Sequence, residues 1–166
     1  MMDIPRFIRH LLTSRWQVRR AFPPKSMAEI ATAISAAEQT HDGELRFVIE
    51  GALEPGDLLR GMSPRKRAIE VFSQLGVWDT EHNNGVLIYV LLADHAVEIV
   101  ADRGIDTRLA AQAWSDICRE IETHFKRQAY QLGAVAGVEA VAQFLKQHYP
   151  RSESDTNELP DAPLLI

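Results

Sequence analysis

The stretch HNNGVLIYVLLADHAVEIVADRGI, residues 82 to 105, constrains the fold of this chain more than any other. Two apolar runs, Val86 to Leu92 and Val97 to Ala101, flank a four-residue break. Runs of that length around so short a break read as an antiparallel hairpin. Polar corners lie outside both strands: Asn83-Asn84-Gly85 before the first and Asp102-Arg103-Gly104 after the second. Antiparallel pairing sets the two corners side by side at one end of the sheet. Two asparagines, an aspartate, an arginine and two glycines are thereby gathered at one place.

The elements around the hairpin follow from periodicity and caps. In IPRFIRHLLTSRW, Ile4, Phe7, Ile8, Leu11, Leu12 and Trp16 fall at helical spacing, with Arg6, Arg9 and Arg15 on the remaining surface. The spacing predicts one basic amphipathic helix within residues 1–22. The prolines of AFPPKS are expected to break it, and Ser26-Met27-Ala28-Glu29 reads as a capping box opening a second helix that runs to about Thr40. ELRFVIE, Glu44 to Glu50, is expected to be a strand covered on both faces. After a loop, Ser63-Pro64 caps and starts a helix that Gly76 stops. Beyond the hairpin, Asp106 or Thr107 caps a helix to about His124, and a last helix covers about Ala129 to His148. Residues 150–166 are acidic and expected to be flexible, apart from docking of Leu164 to Ile166. The order α-α-β-α-β-β-α-α predicts an α/β fold: a three-layer α/β/α sandwich with a small mixed β-sheet and a C-terminal helical pair.

Composition narrows the function classes. A chain of 166 residues is of single-domain length, and 46% apolar with 25% charged residues is ordinary for a globular protein. The net charge of −5 is uneven. Residues 1–25 carry six basic side chains against one acid, a local +5, while residues 150–166 carry −3 and the remainder about −7. An acidic body argues against nucleic-acid binding, which calls for a basic face. No apolar stretch approaches the ~20 residues of a spanning helix, and no secretory signal is read at the start. One cysteine, Cys118, forms no internal disulfide, which agrees with a cytoplasmic setting.

The segment NNGVLIYVLLADHAVEIVADRGI resembles the TPM domain family, whose members carry an Asn-Asn-Gly-Val-Leu strand opening and, one hairpin later, a Gly-x-Gly-Leu corner. AEIATAISAAEQTHDGELRFVIE and HFKRQAYQLGAVAGVEAVAQFL are similar to the family in order and spacing, so the resemblance covers residues 26–148. It implies the sandwich fold, a divalent-cation site and, for some plastid members, acid phosphatase activity. Many members carry a signal and a transmembrane helix, so this chain would be a free-standing, bacterial cytoplasmic version. Asn83, Asn84, Gly85 and Gly104 match the family pattern. Asp102 stands where the family has the first glycine of its corner, and the Leu-Thr-Asp loop that usually follows has no counterpart.

Several chemistries are open at the corner. Asn84-Gly85 and Gly104 supply turn conformations with positive φ. Asp102, Asp106 and oxygens near Asn83 and Asn84 are the ligand types that Ca²⁺ or Mg²⁺ prefers, too few for a tight site. For phosphoryl chemistry, Arg103 supplies positive charge and Asp79, Glu81 or His82 an acid or base. The residues therefore point to a binding or accessory module with a weak cation site at Asp102 and Asp106 and a ligand surface at Asn83, Asn84, Gly85, Arg103 and Gly104; the alternative is an acid phosphatase of phosphomonoesters. Asp116, Glu120 and His124 share a helix face that reads as solvated. The N-terminal helix either packs its apolar stripe on the domain or meets an anionic membrane surface or an acidic, membrane-associated protein partner, which would make the protein peripheral at the membrane.

Overall fold

The computed structural model describes residues 3–106, 111–153 and 156–166. Its elements are α1 (Ile4–Leu12), α2 (Arg15–Ala21), α3 (Pro24–Glu38), β1 (Glu44–Glu50), α4 (Pro55–Leu59), α5 (Pro64–Gln74), β2 (Gly85–Leu91), β3 (Ala96–Ala101), α6 (Arg103–Asp106), α7 (Ala111–Lys126), α8 (Tyr130–His148) and β4 (Leu164–Leu165). A 3₁₀ turn, Leu92–Asp94, closes the β2–β3 hairpin, with His95 in the left-handed region. The sheet order is β3-β2-β1-β4: β1 lies parallel to β2 and to β4, and β2 antiparallel to β3.

All residues of β1 and β2 are buried because helices cover both faces of the sheet. On one face, Leu45, Phe47, Ile49 and Ile88 join Val18, Ile30, Ile34, Ile121, Val138 and Val141 of α2, α3, α7 and α8. On the other, Val48, Leu87, Tyr89 and Val100 meet Leu58, Ala68, Val71 and Phe72 of α4 and α5. This is the three-layer sandwich with its C-terminal helical pair. The pair packs closely at Gly137 in α8, where a Cβ would run into the side chain of Ile121 in α7.

Three local expectations are corrected. The N-terminal segment forms two helices, because Ser14 and Gln17 make a true capping box: the Ser14 amide donates to Gln17 Oε1 at 2.8 Å and the Gln17 amide to Ser14 Oγ at 3.3 Å. Ser26 is no cap. Helix α3 already starts at Pro24, whose fixed φ and missing N–H suit a first helical position. Ser26 is buried in that first turn and donates to Gln131 Oε1 of α8 at 3.0 Å. A short helical turn, α6, begins directly after Asp102; Thr107 lies outside the described residues.

The C-terminal tail docks at Leu164 to Ile166, as expected, and the residues just before them are held against β1 as well. Its described part runs along β1 and pairs with it, Val48 opposite Leu164 and Ile49 opposite Leu165. The physical reason lies in β1 itself. Glu44 and Arg46 alternate with its apolar core face, are nearly fully buried and need partners. The Glu44 carboxylate accepts from the amides of Glu158 (3.1 Å) and Leu159 (2.9 Å), and Arg46 donates to the carbonyls of Pro160 and Ala162.

Candidate functional site

The two corners flanking the hairpin do meet. The Asp102 amide donates to the Gly85 carbonyl at 2.9 Å, extending the β2–β3 ladder by one bond, and the Gly104 amide donates to the Asn83 carbonyl at 3.1 Å. The Tyr149 hydroxyl, just past α8, donates to the Gly104 carbonyl at 2.6 Å and ties the corner to the helical layer.

The residues divide into those that build this junction and those that line open space. Asn84 is buried: its side-chain amide donates to the Asp42 carbonyl at 2.6 Å, and its backbone amide donates to Thr80 Oγ1 at 3.1 Å. Gly85 is forced by crowding, since a Cβ there would strike the Val77 carbonyl. The left-handed residue of this corner is Asn83, at φ 51°, one position ahead of the expected Asn84-Gly85 turn. Asparagine tolerates that region better than most side chains.

Asn83, Asp102, Arg103 and Gly104 line a shallow depression of about 640 Å³, together with Trp78 and His82. Asp102 is 7% exposed. Its Oδ1 accepts from the Arg103 amide at 2.7 Å, capping α6, while Oδ2 is buried with no hydrogen-bond partner among the described residues. Asn84 Oδ1 is buried in the same unpartnered condition. A buried oxygen without a donor is costly unless something fills the gap. Carboxylate and amide oxygens are the donor types that hard divalent cations prefer. No group of three or more His, Cys, Asp or Glu that would hold a metal occurs among the described residues, and the side chain of Asp106 lies outside them.

Other polar groups away from the corner have structural partners, although Glu38 Oε2, both ring nitrogens of His41 and Trp114 Nε1 are buried without one among the described residues. Glu50 accepts from the Tyr89 hydroxyl at 2.6 Å and from Arg67 Nε at 2.9 Å, and Arg67 also reaches Glu70 at the surface. Asp116 is exposed and pairs with Arg119 and Gln112, in line with a solvated face. Burial pushes the Cys118 thiol up to about 12, so it is no nucleophile at neutral pH. Trp78 and Tyr149 carried no signal in the sequence: each belongs to the corner only because α5 and α8 end beside it.

Comparison with known proteins agrees with this architecture. The family model described as TPM domain matches residues 19–144. The BA42 protein from the psychrophilic bacterium Bizionia argentinensis, solved by NMR, is 30% identical, with a TM-score of 0.75 over 86% of this chain and 93% of that one. The N-terminal domain of a P. gingivalis protein, also solved by NMR, shares the fold at 24% identity and a TM-score of 0.57, over 74% of this chain and 76% of that one. No curated protein matches the sequence. With the family model spanning most of the chain, and the sheet, hairpin and helical layers all in place, the chain belongs to the TPM domain family.

Proposed function

We propose that this chain is a binding or accessory module whose hairpin corner takes a weakly held divalent cation, Ca²⁺ or Mg²⁺. The observation that carries the reading is Asp102, which lines the depression and whose buried Oδ2 has no hydrogen-bond partner among the described residues. A cation there would supply the interaction that the described residues do not. The ligand surface would comprise Asn83, Arg103 and Gly104, with Asn84 and Gly85 holding the corner in shape. Asp106 is the second candidate ligand, its side chain lying outside the described residues. Affinity in about the millimolar range is expected from so few charged ligands. Among the described residues no helix is long and apolar enough to cross a membrane, so any membrane role would be peripheral and through the basic N-terminal helices.

Amide NMR of the metal-stripped protein tests the reading. Saturable shifts at residues 83–85 and 102–106 on adding Ca²⁺ or Mg²⁺, abolished in Asp102→Asn, are expected. Absence of such shifts at millimolar ion would sink it. A second reading, a TPM-type acid phosphatase, draws on Arg103 and His82 lining the same depression as Asp102. It requires hydrolysis of p-nitrophenyl phosphate that disappears in Asp102→Ala, and it fails if the variant retains the rate.

A further inference from the structure

Helix α1 is docked inside out. Its polar face is the inward one: Arg6, Arg9 and His10 all reach the carboxylate of Asp94, at 2.7, 3.1 and 3.0 Å, although the Arg9 side chain stays 45% exposed. His10 is fully buried there, and its Nδ1 accepts from the Leu53 amide at 2.9 Å. Most of the apolar stripe on the opposite side faces solvent, with Phe7 packed against the second core: Ile4 is 57% exposed, Ile8 49%, Leu11 58% and Leu12 71%, and Trp16 of α2 is 64% exposed. Surface helices ordinarily bury that stripe and leave the charges in water. Here ionic docking fixes the helix with its apolar side free to meet something else.

The stripe faces a partner-shaped space. Ile8, Leu12 and Trp16 form one wall of a groove of about 1180 Å³, and Leu132 and Val135 of α8 form the other. Arg20 and Arg9, which shares Asp94 with Arg6, stand in its lining against one acid among the described residues, Glu29. Arg20 lies over the Trp16 ring, 5.3 Å from its centroid, so charge and apolar surface are presented together.

We propose that this groove docks an acidic amphipathic helix of a partner protein, apolar face between α1–α2 and α8, carboxylates toward Arg9 and Arg20. Helix-in-groove recognition needs a concave apolar slot, and the charge of the slot selects the partner. A flat bilayer surface leaves a concavity of this size unfilled. A second copy would bring together two linings that both carry Arg9 and Arg20 against a single acid among the described residues. The inference rests on the accessory-module reading but not on a cation at the corner, which the NMR titration above tests separately.

The test uses a labelled model peptide of leucine, alanine and glutamate with apolar residues at i, i+3, i+4 and i+7, and a counterpart with lysine for glutamate. Saturable binding of the acidic peptide is expected, with amide shifts confined to α1, α2 and the start of α8 and weakening as salt is raised. Trp16→Glu and Leu12→Glu, both at exposed positions and so harmless to folding, should each weaken it about tenfold, as for loss of an anchor. Arg20→Glu should weaken the acidic peptide and strengthen the basic one. Equal binding of both peptides, or shifts elsewhere, would overturn the proposal. So would binding only to phosphatidylcholine–phosphatidylserine vesicles, or self-association relieved by Trp16→Glu.

Discussion

At the scale of single residues, burial decides what charge each titratable group carries. Glu38 sits at the end of α3, where its Oε1 accepts from the Leu45 amide at 3.2 Å. Burial pushes its carboxyl up to about 9 against that hydrogen bond, and the neighbouring acids Asp161 and Glu44 add to the rise. Ionising it in the folded state is therefore penalised, so its contribution to stability is full below about 4.5 and is lost as pH rises toward 9. His41 is the mirror case. Burial holds it down to about 4, so its contribution is full above about 6.5 and is lost as pH falls toward 4. Urea unfolding across this range should show Glu38→Gln gaining on the parent protein as pH rises, and His41→Gln flattening the acidic limb. Parallel pH profiles would refute both assignments. Gly85→Ala belongs to the same scale. Its Cβ would meet the Val77 carbonyl, and overpacking of this kind costs about 2 kcal/mol, read as a lower urea midpoint with an unchanged slope.

At the scale of elements, the docking of α1 hangs on one side chain. Burial works to raise the Asp94 carboxyl, but the hydrogen bonds from Arg6, His10 and Arg9 outweigh it and hold the group down to about 2. The contribution is thus present above the ordinary carboxylate range and lost only as pH falls through about 2. Asp94→Ala would leave the buried His10 and the two guanidiniums without their anion, a loss of roughly 3 kcal/mol. Because α1 contributes few residues to the two cores, the loss should release that helix more than unfold the domain. Hydrogen exchange is expected to speed up across Ile4–Leu12 and at the Leu53 amide while β1 and β2 stay protected. Uniform acceleration through the sheet would show instead that α1 is integral to the core.

At the scale of the whole molecule, the C-terminal segment completes the sheet. Strand β4 pairs with the edge of β1, and the chain before it satisfies Glu44 and Arg46. Removing residues 156–166 would strip partners from two buried charges and expose a strand edge that templates association. Such a truncation should lose on the order of 3 kcal/mol of stability and aggregate, and Arg46→Met in the truncated chain should recover part of the loss. Unchanged thermal stability of the truncated protein would mean that water replaces the tail at no cost.

The sequence by itself determined the sheet, the hairpin, the covering helices and the meeting of the Asn83–Gly85 and Asp102–Gly104 corners. These follow from periodicity and strand pairing, which act over a few residues. It also held clues that local reading passes over, such as the Ser14–Gln17 capping box and the alternating charges of β1, which demand partners once buried. Tertiary structure alone decided which face of α1 points inward. Periodicity shows that a helix has two faces; the position of Asp94, more than eighty residues away, chooses between them. It alone brought Trp78 and Tyr149 to the corner, left Asp102 Oδ2 buried with no donor among the described residues and set the chain before Leu164 against Glu44 and Arg46. Each of those outcomes depends on which distant group satisfies a buried charge or dipole, and that is settled only when the whole chain has packed.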